Sequence, residues 1–124
     1  MTMKRILLIE DDKDNRYLLE FTLREETNWD IKTVSNGLEG IKIAESERPD
    51  AILLDYMMPQ MNGLTVYKIL QKNLFTRTIP IIFITAMVNT TSLSLLKNTD
   101  AVGVITKPLN MISLASQIEK MCDW

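Results

Sequence analysis

The sequence predicts an α/β fold: a doubly wound, five-stranded parallel sheet with helices on both faces. Three features of the 124 residues carry that prediction. Short apolar runs alternate with longer amphipathic stretches five times over, the pattern of strands joined by helical crossovers. Four of the runs are apolar at every position and rich in Leu or β-branched residues, as strands covered on both faces of a parallel sheet are. No linker, internal repeat or low-complexity segment interrupts the alternation, so residues 1–124 read as one domain with no second module.

The elements follow in order. Ile6-Leu7-Leu8-Ile9 is the first strand, and residues 14–27 form a helix with Tyr17, Leu18, Phe21 and Leu23 as apolar positions. Trp29 to Val34 mixes polar and apolar residues and suits a sheet edge. Residues 37–47 form a helix carrying Leu38, Ile41 and Ala44. Ala51-Ile52-Leu53-Leu54 is the third strand, and the helix over 64–73 carries Val66, Tyr67 and Leu70. Ile81-Ile82-Phe83-Ile84 is the fourth strand. The stretch 89–98 is a weaker helix, with Leu93, Leu95 and Leu96 after a polar start at Asn89-Thr90-Thr91-Ser92. Val102-Gly103-Val104-Ile105 is the last strand. Residues 110–121 close the chain with Met111, Leu114, Ala115, Ile118 and Met121 at helical spacing, and Asn110 is the expected N-cap.

Composition narrows the chemistry. Hydrophobic residues make up 46% and charged residues 24%, as in a globular domain. There is no histidine, which removes imidazole bases, Ser/His/Asp or Cys/His catalysis and His metal ligands. Cys122 is the single cysteine, so internal disulfides, CxxC redox chemistry and thiolate zinc sites are excluded, and a reducing, cytoplasmic setting is expected. A net charge of −2 and a pI near 5.1 offer no basic footprint for direct contact with nucleic acid. The apolar runs are far shorter than the ~20 residues a membrane span needs. Metal chemistry, if any, must use oxygen ligands and a hard cation such as Mg²⁺.

Polar residues stand where the strands end. The first run ends in Glu10-Asp11-Asp12, the third strand in Asp55, the fourth in Thr85 and the fifth in Thr106-Lys107-Pro108. Parallel strands bring these ends to one edge of the sheet, where open α/β sheets bind ligands. Taken singly, each has an ordinary reading. The triplet is a solvated turn at a helix N-terminus, Asp55 a cap, Thr85 a common strand-end residue and Lys107 a surface lysine. Converging carboxylates repel, however, and need a divalent cation or a cationic side chain to persist. Carboxylates, a hydroxyl and an ammonium around a cation are what phosphoryl transfer uses, with an Asp as nucleophile.

These residues resemble the receiver domains of bacterial two-component response regulators, from Arg5 to Met121. The strongest piece is Asp55-Tyr56-Met57-Met58-Pro59-Gln60-Met61-Asn62-Gly63, similar to the family's D-x-x-M-P-x-M-[DN]-G stretch. The acids after the first strand, Thr85-Ala86 and Lys107-Pro108 complete the set. The resemblance implies a flavodoxin-like sheet of order 2-1-3-4-5 and a role for each residue. Asp55 is the phosphoacceptor. Asp11 binds Mg²⁺ directly, Glu10 acts through a coordinated water, and the backbone carbonyl of Met57 is a further ligand; Mn²⁺ can substitute. Asp12 begins the turn into the helix. Thr85 and Lys107 contact the phosphoryl group. The implied donor is a phosphohistidine of a sensor histidine kinase or phosphotransfer protein. A downstream protein partner docks on the 89–121 surface, and a homodimer stays open.

Two positions stand out against that pattern. Val104 occupies the place where the family usually has Tyr or Phe. Met57 and Met87 flank the site with long apolar side chains and give no acceptor to orient a hydrolytic water. Three rival readings remain. A receiver-like interaction module that is never phosphorylated would not require the full Asp, Thr and Lys set. A haloacid-dehalogenase-like, Mg²⁺-dependent aspartyl-phosphate phosphatase wants a second Asp where Met57 stands. An FMN carrier wants a phosphate-cradling loop where the acid triplet stands.

Overall fold

The computed structural model describes residues 3–86 and 90–124. Five parallel strands, β1 (Arg5–Ile9), β2 (Asp30–Val34), β3 (Ala51–Asp55), β4 (Ile81–Thr85) and β5 (Gly103–Thr106), form one sheet of order β2-β1-β3-β4-β5. Five helices alternate with them: α1 (Lys13–Glu26), α2 (Gly37–Glu47), α3 (Gly63–Lys72), α4 (Thr90–Lys97) and α5 (Leu114–Met121). The predicted fold class and strand order are both observed.

Strand alternation divides the core in two. Leu7, Ile9, Ile52, Leu54, Ile81 and Phe83 point to one face and pack with Ala44 of α2, Val66, Tyr67 and Leu70 of α3, and Leu96 of α4. Ile6, Leu8, Leu53, Ile82, Ile84 and Ile105 point to the other and pack with Leu19 and Leu23 of α1 and Leu114 and Ile118 of α5. Side chains alternate along a strand, so an all-apolar run such as Ile81–Ile84 feeds both clusters at once. β2 lies at one edge, as its mixed polarity predicts. β5 lies at the other edge, and its run, read as covered on both faces, is only partly so: Val102 is 40% exposed and Gly103 and Val104 are half-buried.

Caps define several helix starts. The side chains of Asp12, Asn36 and Asn62 accept the backbone N–H of Asn15, Glu39 and Thr65 and open α1, α2 and α3. Asn110 does not cap α5. Its Oδ1 accepts from Ile112 N at 3.1 Å and its carbonyl from Ser113 N at 3.2 Å, so residues 110–113 form a turn and the helix begins at Leu114. The helix predicted from residue 110 is shorter because Asn110 satisfies its own turn first. Among the described residues, no helix is long and apolar enough to cross a membrane.

Candidate functional site

The carboxyl edge of the sheet gathers the predicted residues. Glu10 immediately follows β1 and is still tied to the sheet, its N–H donating to Val34 O at 3.1 Å. That placement buries its side chain to 1% exposure. Asp11, one residue on, is half-buried, and Asp12 is exposed and committed to capping α1. The triplet therefore divides as expected: two acids face the site and the third starts the helix. Asp55 is the last residue of β3, paired in register with Ile84, and is 3% exposed. Thr85, the last residue of β4, is fully buried, and its carbonyl accepts the N–H of Lys107 at 2.7 Å. The Lys107–Pro108 peptide is cis.

Carboxylate oxygens of Glu10, Asp11 and Asp55 lie within 4.8 Å of one another. Lys107 Nζ reaches across from the end of β5 to Glu10 Oε1 at 2.9 Å and to Asp55 Oδ1 at 3.7 Å. Glu10 Oε2 accepts from Asp12 N at 3.3 Å, and Asp55 Oδ1 accepts from Met57 N at 3.2 Å. The Met57 side chain is 59% exposed, so Met57 meets the site through its backbone.

The electrostatics follow from this crowding. Burial, then the Glu10 carboxyl beside it, push Asp55 up from an ordinary 3.8 to about 8, only partly countered by Lys107. Burial also penalises the Glu10 carboxylate, but hydrogen bonds from Asp55 and Lys107 outweigh it and hold Glu10 below its usual range. Burial works against the Lys107 ammonium in the same way, and Glu10 and Asp55 more than compensate, raising it. One carboxyl thus keeps its proton near neutral pH because the site holds more acid than Lys107 can balance.

The donor set suits a hard cation: three carboxylates, oxygen only, partly buried, with one ammonium opposite. A divalent ion would supply the charge the cluster lacks.

Two residues that the sequence did not single out shape this edge. Arg16 of α1 donates from Nη1 to both Glu10 O (2.9 Å) and Asp11 O (3.2 Å). Its position four residues after the capping Asp12, one helical turn, was the available signal. Gly63, noted only as part of a motif, opens α3 directly against Asp55: a Cβ there would stand 2.6 Å from Asp55 O and 2.8 Å from Tyr56 Cα. Only glycine lets the helix come that close to the Asp55 backbone.

Val104 pairs in register with Phe83 and is packed against the core. The aromatic bulk on this face comes from Phe83 and Tyr67, ring centroids 5.6 Å apart, and the Tyr67 hydroxyl accepts Asp100 N at 2.7 Å. Met87 and Asn89 lie outside the described residues.

The comparisons agree with one another. The family model for the response regulator receiver domain matches residues 6–119. The chain is 41% identical over 85 residues to the alkaline phosphatase synthesis transcriptional regulatory protein PhoP of Bacillus subtilis, covering 67% of this chain and 33% of that protein. It is 32% identical to protein PilH of Pseudomonas aeruginosa, covering 94% of this chain and 95% of PilH. The chain therefore spans about a third of one relative and nearly all of the other. Among solved structures it is similar to the receiver domain of a sensor histidine kinase from Pseudomonas aeruginosa PAO1, at TM-score 0.88 and 25% identity over 99% of this chain and 100% of that one. That domain was determined with a magnesium ion coordinated in its active-site cleft.

Proposed function

The chain belongs to the response regulator receiver domain family of two-component signalling, and from that premise we propose that Asp55 accepts a phosphoryl group from a phosphohistidine and that a protein partner reads the result. The observation that carries this reading is the placement of Asp55 at the end of a central strand, buried, between a carboxylate pair and an ammonium.

Each residue has a part. Asp55 Oδ attacks phosphorus as the P–N bond to the donor imidazole breaks, so the phosphoryl group moves from nitrogen to oxygen. Asp55 must be ionised to do this, and in the metal-free site it is held protonated near neutral pH. Asp11 and Asp55 would hold Mg²⁺ directly, with the Met57 carbonyl beside them and Glu10 acting through a water; Mn²⁺ would serve as well. Once bound, the ion supplies positive charge for the ionised Asp55 and for the phosphoryl oxygens. Lys107, already anchored by Glu10, lies near enough to Asp55 to pair with a phosphoryl oxygen. Thr85, buried at the neighbouring strand end, would hydrogen-bond another.

The donor is a sensor histidine kinase or phosphotransfer protein. The output partner docks on the 89–121 surface, where Leu95, Val102 and Ile112 are exposed at 50%, 40% and 90%. Self-catalysed phosphotransfer from the donor onto Asp55 and slow self-hydrolysis are the only reactions assigned to the chain, and its setting is the cytoplasm.

Acetyl phosphate with Mg²⁺ should add one phosphoryl group to the intact mass, and Asp55→Asn should remove that gain. Full labelling of Asp55→Asn would overturn the assignment.

A further inference from the structure

We propose that Arg16 is a positioning residue for the metal-binding acids: it fixes the backbone that carries Glu10 and Asp11, and so sets the affinity of the cluster for a divalent cation. The inference rests on the metal site of the reading above and adds to it a residue that touches no ligand.

The geometry is specific. One nitrogen, Nη1, donates to two consecutive carbonyls, Glu10 O at 2.9 Å and Asp11 O at 3.2 Å. Both bonds are partly buried. A terminal guanidinium nitrogen carries two N–H groups, so Nη1 alone holds both peptides. Arg16 N meanwhile donates to Asp12 O at 2.9 Å, and Asp12 caps the helix through Asn15 N. The loop between β1 and α1 is thereby closed on itself from Glu10 to Arg16. The reason such closure matters is electrostatic. Glu10, Asp11 and Asp55 carry oxygens within 4.8 Å, and without a cation the repulsion between the Glu10 and Asp11 carboxylates favours a loop that swings Asp11 outward. Tying the Glu10 and Asp11 carbonyls to α1 opposes that movement, so the acids are already gathered when the ion arrives. Ordering that need not be done on binding appears as affinity, and partners that orient metal ligands typically account for about 10–100-fold of it.

The same helix contains its own control. Arg24 Nη2 donates to Ile31 O at 2.8 Å, a guanidinium-to-carbonyl contact of the same kind at the β2 edge, away from the acids. Arg24→Ala removes that bond, and the Arg24–Glu20 ion pair with it, without touching the loop.

The experiment is calorimetric titration of Mg²⁺ into wild type, Arg16→Ala, Arg16→Lys and Arg24→Ala, with a thermal melt of each in EDTA. The expected result is about tenfold or greater weakening in Arg16→Ala, partial recovery in Arg16→Lys, and wild-type affinity in Arg24→Ala even where its melting temperature falls. Equal Mg²⁺ affinity in Arg16→Ala and wild type overturns the inference while leaving the metal site intact. Equal weakening in Arg16→Ala and Arg24→Ala overturns it as well, because the effect would then follow stability and not the loop. Absence of Mg²⁺ binding in wild type removes the metal site itself, and the inference with it.

Discussion

The two ends of the sheet each hold an ion triad, and the triads are opposites. At the amino end Glu47 lies between two cations, 3.2 Å from Arg5 and 2.6 Å from Lys32, and all three side chains are in contact with solvent. At the carboxyl end Lys107 lies between two acids, 2.9 Å from Glu10 and 3.7 Å from Asp55, with Glu10 and Asp55 almost entirely buried. Hydrogen bonding to Lys32 holds the Glu47 carboxyl below its usual range, and water screens the rest. The same count of groups under low exposure drives Asp55 to about 8. The lesson is that burial, not the number of ion pairs, turns a cluster of charges into a site that holds a proton in reserve and suits a cation.

The largest effect should come from Lys107→Met. At pH 7 the metal-free pair is Lys107 with ionised Glu10, and removing the ammonium leaves a buried carboxylate uncompensated. The expected loss is on the order of 3 kcal/mol in urea unfolding, together with loss of phosphorylation. A stability within experimental error of wild type would show that the buried triad is no different from the exposed one.

Next in size is the response to Mg²⁺. Wild type should gain ~2.7 kcal/mol at 100 times the dissociation constant. Asp11→Ala should lose that gain. The same change should also raise the metal-free stability by about 1 kcal/mol, because one repelling charge is gone at close range. Melting in EDTA and in Mg²⁺ checks both, and an EDTA melting temperature below that of wild type counts against the repulsion.

The pH dependence has a definite sign. Asp55 binds its proton more tightly in the folded chain than in the unfolded one, so unfolding releases a proton between the ordinary 3.8 and about 8. Metal-free stability therefore falls as pH rises across that window. Glu10, held low, works oppositely: its contribution is present above its usual range and is lost only in acid. Lys107, held high, loses its contribution only above the usual lysine range. Asp55→Asn should flatten the curve between pH 5 and pH 8, and a wild-type curve that rises there would reverse the picture. The smallest effect belongs to Glu47→Gln, which should leave Mg²⁺ affinity and phosphorylation unchanged and barely move the melting temperature.

The sequence revealed the site more fully than it revealed the helix faces. Asp55, Thr85 and Lys107 could be placed because strand ends are fixed by unbroken apolar runs, and parallel order carries all of them to one edge. α1 was harder. The apolar positions read for it, Tyr17, Leu18, Phe21 and Leu23, leave out Leu19, yet Leu19 with Leu23 is the stripe that meets the sheet; periodicity alone does not choose it over Tyr17 and Leu18 with Phe21. The structure buries Leu19 and Leu23 and exposes the other three at 68%, 45% and 51%, where the Tyr17 and Phe21 rings stack on each other. The start of α5 was hidden because Asn favours turns as readily as caps. Arg16 was hidden because only its spacing from Asp12, and nothing in its residue type, marks a contact from a side chain to backbone carbonyls.

The central claim, that burial stores a proton on Asp55 until a cation replaces it, is tested most directly by titrating Mg²⁺ at pH 7 in two buffers of different ionisation heat. With Asp55 at about 8 before binding, close to one proton should leave per ion bound, and affinity should rise with pH up to about 8. Binding with no proton released and no dependence on pH would contradict it.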